Sequence, residues 1–131
     1  KDGKWRYTSP THVVLAFAQA MRELEAEGGI PARHARYQRN RDVLVNHFEE
    51  LGFKLYVDKT WQGPIIATFL YPEGRKFDFQ DLYCYIKDRG YAIYPGKLTD
   101  ADTFRIGVIG EIYEEDIEKL TEIMREYMAQ A

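Results

Sequence analysis

The chain has 131 residues, of which 45% are hydrophobic and 15% aromatic, and its formal net charge is −3. This composition predicts one folded domain with its own core and excludes a disordered chain. The acidic balance gives no general attraction to nucleic acids or anionic membranes. The single cysteine, Cys84, excludes an internal disulfide and fits a reducing compartment, and no apolar run is long enough to span a membrane. We therefore expect a cytoplasmic protein.

Residues 1–9 have no periodicity and are interpreted as an extended lead-in. Ser9 and Pro10 predict the start of the first helix, with Ser9 as the N-cap, and the pair Gly28-Gly29 predicts its end. Apolar residues follow within it at helical spacing: Val13, Val14, Phe17, Met21 and Leu24.

A second helix is predicted from Pro31 to about Leu51. Its first half, residues 33–41, is basic and poor in large apolar side chains. Such a face is typical of a solvated or interdomain surface. A nucleic-acid-binding patch is the alternative, which the overall acidity of the chain disfavours.

The second half of the chain alternates short strands with single helices. Strands are predicted at 53–57, 65–71, 91–94 and from Thr103 onward. Asp78 is predicted to cap a third helix, and a final helix is predicted from about Glu114. We expect Pro95 to break the third strand and Cys84 to be a small core residue of the third helix. The order α-α-β-β-α-β-β-α predicts an α+β domain with a mainly antiparallel sheet and helices on one face.

Arg105 is the unusual residue of the last strand, since it lies between Phe104 and Ile106. A buried guanidinium is costly unless it is paired. Arg105 therefore suggests a site in which its guanidinium donates two parallel hydrogen bonds to a carboxylate, phosphate or phosphonate. Alternation along a one-sided sheet also permits Arg105 to point to solvent. Both interpretations remain open at this stage.

The segment from Trp5 to His12 places hydroxyls and backbone N–H groups just before a helix N-terminus, where anions bind readily. In the alternative, Thr8 and Ser9 merely cap the helix. His12, His34 and His47 are far apart in sequence and have no metal-ligand spacing, so no metal site is predicted. No phosphate loop, nucleophile elbow or catalytic carboxylate pair is present either.

The runs Trp5-Arg6-Tyr7-Thr8-Ser9-Pro10-Thr11-His12, Arg33-His34-Ala35-Arg36-Tyr37 and Phe104-Arg105-Ile106-Gly107 carry a family resemblance. The chain resembles the C-terminal domain of the 2-aminoethylphosphonate–pyruvate transaminases. These are class V, fold-type I aminotransferases that depend on pyridoxal 5′-phosphate. The first run is specific to this phosphonate branch, whereas the Arg-Ile-Gly motif is shared with alanine–glyoxylate and serine–pyruvate aminotransferases.

The resemblance implies roles for three residues. Arg105 matches the arginine that holds the acidic group of the substrate, a carboxylate or a phosphonate. Thr8 matches a threonine that reaches the cofactor phosphate bound in the neighbouring subunit of a homodimer. Trp5 occupies the position of a tyrosine near the same phosphate in related enzymes.

The family binds its cofactor as a Schiff base to a lysine of the large domain, and no lysine of this chain has a matching context. Residues 1–131 are therefore expected to be a single small C-terminal domain that lacks catalytic residues and is inactive alone. Its parent is expected to convert 2-aminoethylphosphonate and pyruvate to phosphonoacetaldehyde and alanine. The alternatives are an alanine–glyoxylate or serine–pyruvate type transaminase domain and a non-catalytic α+β anion-binding domain.

Overall fold

The computed structural model describes residues 3–74, 76–96 and 100–130. Helices and strands follow the predicted order: α1 (Thr11–Glu27), α2 (Gly29–Glu50), β1 (Lys54–Leu55), β2 (Ile66–Leu70), α3 (Phe79–Lys87), β3 (Tyr94–Pro95), β4 (Thr103–Gly107) and α4 (Glu114–Gln130). The chain divides into two compact units, Lys1–Ala35 and Arg36–Ala131. None of the helices in these described segments is long and apolar enough to cross a membrane.

The four strands form one sheet in the order β1-β2-β4-β3, and each neighbouring pair is antiparallel. The α+β fold and the antiparallel sheet predicted from the sequence are confirmed. The register places Ala67 opposite Ile106 and Phe69 opposite Phe104. All four of these side chains are buried, so they share the face of the sheet that carries the core.

Aromatic rings fill the centre of this core. The Phe48 and Phe69 ring centroids lie 4.9 Å apart, and those of Phe53 and Phe104 lie 5.4 Å apart. Buried side chains from three helices surround these rings: Leu44 and Phe48 of α2, Leu82 and Ile86 of α3, and Ile117, Leu120 and Met124 of α4. The hydrophobic core thus occupies the side of the sheet where these helices pack.

The predicted helix starts are confirmed at α3 but not at α1. The Asp78 side chain accepts hydrogen bonds from the Gln80 and Asp81 N–H groups, which caps α3 as expected. Helix α1 instead begins at Thr11, with Pro10 at its N-cap, so the prediction of Ser9 at that position is wrong. The reason is the backbone of Pro10, whose ψ of 61° is not helical.

The third strand lies later in the chain than predicted. Tyr91 donates its N–H to the Ile86 carbonyl and so remains with the end of α3, while the strand pairing occurs at Tyr94 and Pro95. Pro95 was expected to end the strand. It is tolerated because β3 is an edge strand, where the missing N–H interrupts no ladder.

The prediction of a buried Cys84 is also wrong, since this residue is exposed. Helix α3 buries Leu82 and Ile86 against the core. Cys84 lies two residues from each, which is about 200° around a helix of 3.6 residues per turn. It therefore lies on the opposite side of α3 from the core.

Helix α1 is unusual because none of its residues is buried. Its predicted apolar face is present at helical spacing, yet Val13 is 68%, Phe17 66% and Met21 41% exposed. Within the part of the chain that the structure describes, α1 therefore gains little stability from apolar burial.

This difference between α1 and α2 predicts contrasting effects for two phenylalanine substitutions. Phe48→Ala should lower the free energy of unfolding by about 3–5 kcal/mol, because a fully buried ring leaves a cavity. Phe17→Ala should change it by less than about 0.5 kcal/mol, because the ring is exposed. Urea unfolding of the 131-residue chain measures both, and equal losses would contradict the described packing of α1.

Candidate anion-binding site

Arg105 lies in the middle of β4, between the buried residues Phe104 and Ile106. The pleat of the strand directs its side chain to the face opposite the core, where the residue is half-buried. The structure therefore places Arg105 on the open face of a one-sided sheet. Its presence in an apolar strand consequently does not require a buried partner.

Among the described residues, the Arg105 guanidinium makes a hydrogen bond through its Nε alone. Its Nε donates a hydrogen bond of 3.2 Å to the carbonyl oxygen of Pro95. Within the described residues, its two terminal nitrogens have no hydrogen-bond or ion-pair partner. Such a fork is oriented by its Nε contact and can donate two parallel hydrogen bonds to an anion.

Trp5 and Thr8 precede α1 and are both exposed. The N-cap position of α1 makes no side-chain hydrogen bond, so the alternative in which Thr8 and Ser9 cap the helix is wrong. Ser9 instead accepts a hydrogen bond of 3.4 Å from the Thr11 hydroxyl. The Thr11 N–H donates to the Ser9 carbonyl oxygen at 2.9 Å, but no side chain caps the start of α1. The next N–H groups of the first turn have no intrahelical acceptor, which suits an anion.

These candidate residues belong to different units. Trp5 and Thr8 lie in Lys1–Ala35, whereas Arg105 lies in Arg36–Ala131. Each unit therefore contains its own candidate groups for binding an anion. The first offers a helix N-terminus with exposed hydroxyls, and the second offers a guanidinium fork on a sheet face.

Three residues of α2 make long-range contacts that the sequence pattern does not predict, and we call them the α2 clamp: Arg36, Tyr37 and Asn40. Arg36 donates to the carbonyl oxygens of Gly110 and Ile112 at 2.7 and 3.0 Å, and Asn40 donates to that of Ile112 at 2.7 Å. The Gly110 N–H donates to the Tyr37 hydroxyl at 3.2 Å. These three residues hold the loop that follows β4.

The α2 clamp corrects the prediction of a solvated or interdomain face for part of residues 33–41, although Gln38 within this run is exposed. Asn40 is 1% exposed, and the Arg36 guanidinium lies 5.1 Å from the ring centroids of both Tyr37 and Tyr113. The acceptors are backbone carbonyls more than 70 residues away in sequence. Because these acceptors are far away in the sequence, the local pattern of basic residues does not predict them.

A cleft of about 450 Å³ lies elsewhere in the second unit, between the segment before β3 and the start of α4. Its lining includes Tyr91, Glu111 and Asp116. Burial raises the pKa of the Tyr91 hydroxyl, and the charge of Asp116 adds to this effect. With two carboxylates in its wall, this cleft is less suited to an anion than the face around Arg105.

Comparison with known proteins identifies relatives across nearly the whole chain. It is 52% identical over 127 residues to the bifunctional phosphonoacetaldehyde hydrolase/aminoethylphosphonate transaminase of Clostridioides difficile (strain 630), covering 97% of this chain and 20% of that protein. It is 56% identical over 123 residues to the 2-aminoethylphosphonate–pyruvate transaminase of Phocaeicola vulgatus, covering 94% of this chain. No protein-family model matches the chain.

The chain thus spans only 34% of the Phocaeicola vulgatus relative, and the match lies in the C-terminal portion of these proteins. Among solved structures, an alanine–glyoxylate aminotransferase from Nostoc sp. superposes with a TM-score of 0.80 at 22% identity. That match covers 93% of this chain and 33% of the aminotransferase. At this identity the likeness shows the fold alone.

The α2 clamp predicts that Asn40 contributes to stability although it lies in a polar run. Asn40→Ala should lower the free energy of unfolding by about 1–3 kcal/mol, because it removes a buried side chain and its hydrogen bond to Ile112. Urea unfolding of the 131-residue chain measures the change. Gln38→Ala is the matched control, since Gln38 is exposed on the same helix and should change stability by less than about 0.5 kcal/mol.

A loss no larger for Asn40→Ala than for Gln38→Ala would show that the α2 clamp is not a stabilising feature.

Proposed function

We propose that this chain, which belongs to the family of the 2-aminoethylphosphonate–pyruvate transaminases, is the small-domain part of a pyridoxal 5′-phosphate-dependent enzyme. The observation that carries the proposal is 56% identity over 94% of the chain to a 2-aminoethylphosphonate–pyruvate transaminase. The proposed reaction moves the amino group of 2-aminoethylphosphonate to pyruvate, which yields phosphonoacetaldehyde and alanine. The lysine that binds the cofactor is assigned to the large domain of the parent.

In this proposal Arg105 binds the anionic group of the substrate. Its terminal nitrogens face away from the core and have no partner in the described part of the chain, so binding an anion breaks no existing ion pair. The hydrogen bond from Nε to Pro95 limits the rotation of the guanidinium, which lowers the entropic cost of binding. Arg105 thereby orients the substrate and takes no part in proton transfer.

Thr8 and the N-terminus of α1 are proposed to contact the cofactor phosphate. The residues present fit such a group, since Thr8 is exposed and no side chain caps the helix. Trp5 lies three residues before Thr8, and its indole ring is 60% exposed, so it is available to contact the same group. When bound, pyridoxal phosphate supplies the electron sink for amino transfer.

The parent is further proposed to be a cytoplasmic homodimer. The exposed apolar side chains of α1 support the proposal that another protein surface packs against this helix, because exposed apolar patches mark interaction sites. An exposed Cys84 fits a reducing compartment.

A second candidate is a non-catalytic anion-binding domain. The observation that favours it is the Arg105 fork, which is formed by β3 and β4 of this chain alone. The transaminase proposal predicts amino transfer when this chain is joined to a large domain, whereas the anion-binding proposal does not.

A hybrid enzyme tests the proposal. The C-terminal third of the Phocaeicola vulgatus transaminase is replaced by this chain, and alanine formation from 2-aminoethylphosphonate and pyruvate is measured. We expect activity in the hybrid and none in the 131-residue chain alone. Arg105→Gln in the hybrid should lower kcat/KM for 2-aminoethylphosphonate roughly thirtyfold or more, as expected for a lost charged hydrogen-bonded pair worth about 2 kcal/mol or more.

Arg125→Gln is the matched control, because Arg125 is an exposed arginine on α4, and it should leave kcat/KM unchanged. A folded hybrid that binds the cofactor but forms no alanine would reject the transaminase in favour of the second candidate. Equal effects of Arg105→Gln and Arg125→Gln would reject Arg105 as the substrate anchor.

A further inference from the structure

Three side chains form a row across the open face of the sheet: Thr68 of β2, Arg105 of β4 and Tyr94 of β3. The strand register pairs Arg105 directly with Thr68 on one side and with Tyr94 on the other. Directly paired residues on one face have Cβ atoms roughly 4.5–5.5 Å apart. Both cross-strand neighbours of Arg105 therefore carry a hydroxyl group.

The row is not symmetric. The Arg105 Nε donates to the carbonyl of Pro95, the residue after Tyr94, so the guanidinium is held towards β3 and away from β2. Tyr94 is 58% exposed, and its hydroxyl has no hydrogen-bond partner among the described residues. Its long side chain rises from the same face as Arg105, whereas Thr68 has a short side chain on the β2 side.

The shape of the anion decides how many donors it needs. A carboxylate has two oxygens in a plane, and the two terminal nitrogens of a guanidinium satisfy both. A phosphonate has three oxygens in a tetrahedral arrangement, so its third oxygen points out of that plane. A neutral hydroxyl beside the fork can donate to this third oxygen without changing the net charge of the site.

We infer that Tyr94 is a specificity-determining residue, whose hydroxyl donates to the third oxygen of a phosphonate held by Arg105 and so favours phosphonates over carboxylates. The inference rests on the proposed anion-binding role of Arg105 and goes beyond it by assigning the choice between the two anions to a second residue. Thr68, on the far side of the row, contributes less to that choice.

The test is an NMR titration of the 131-residue chain with methylphosphonate and, separately, with acetate. The reporters are the amide resonances of β3 and β4, and the variants are Arg105→Gln, Tyr94→Phe and Thr68→Val. Tyr94→Phe removes only a hydroxyl from an exposed edge position, and unchanged resonances elsewhere in the core verify that each variant is folded.

We expect Arg105→Gln to abolish the shifts caused by both anions. Tyr94→Phe should raise the Kd for methylphosphonate about three- to tenfold, the effect of one hydrogen bond, and change that for acetate by less than about twofold. Thr68→Val should change both Kd values by less than about twofold.

The failure of the two proposals is distinguishable in the same experiment. If Arg105→Gln abolishes binding while Tyr94→Phe affects both anions equally or neither, the inference about Tyr94 is overturned and the anion site at Arg105 stands. A loss of selectivity in Thr68→Val as large as in Tyr94→Phe also overturns it. If methylphosphonate and acetate cause no shifts, or the shifts survive Arg105→Gln, the proposed role of Arg105 fails and the inference fails with it.

Discussion

The alternation of side chains along β4 is the constraint on which the second unit depends. Phe104 and Ile106 face the helices, and Arg105 between them faces away. Since β4 is paired on both sides, by β2 and β3, a slip of one residue would bury the guanidinium and expose the phenylalanine ring. The register of this strand therefore determines both the packing of the hydrophobic core and the exposure of the Arg105 guanidinium.

The sheet can carry a charged group in its central strand because only one of its faces is covered by the core. Arg105 keeps its terminal nitrogens on the open face while its Nε is satisfied by Pro95. The desolvation cost of a buried, unpaired cation is thus avoided. The open face remains available for binding, which supports the proposed role of this strand in holding a substrate anion.

The two units obtain their stability differently. In the second unit, apolar burial around Phe48 and Phe104 is supplemented by the α2 clamp, which ties the loop after β4 to a helix from the start of the unit. In the first unit, α1 presents its apolar side chains without cover from the described residues. A helix of this kind is typical of a surface that packs against another domain or chain.

The sequence by itself determined the order of the elements, the cap at Asp78, the resemblance to an aminotransferase family and the unusual position of Arg105 within an apolar strand. These features depend on local spacing and motifs. Tertiary structure alone decided the position of β3, the exposure of Cys84, the α2 clamp and the side of the sheet on which Arg105 lies. Each of these depends on a partner far away in the chain. Pro95 is tolerated in β3 because β3 is an edge strand. Arg36 and Asn40 donate hydrogen bonds to backbone carbonyl oxygens, and every residue has such a carbonyl, so the sequence does not identify which ones accept.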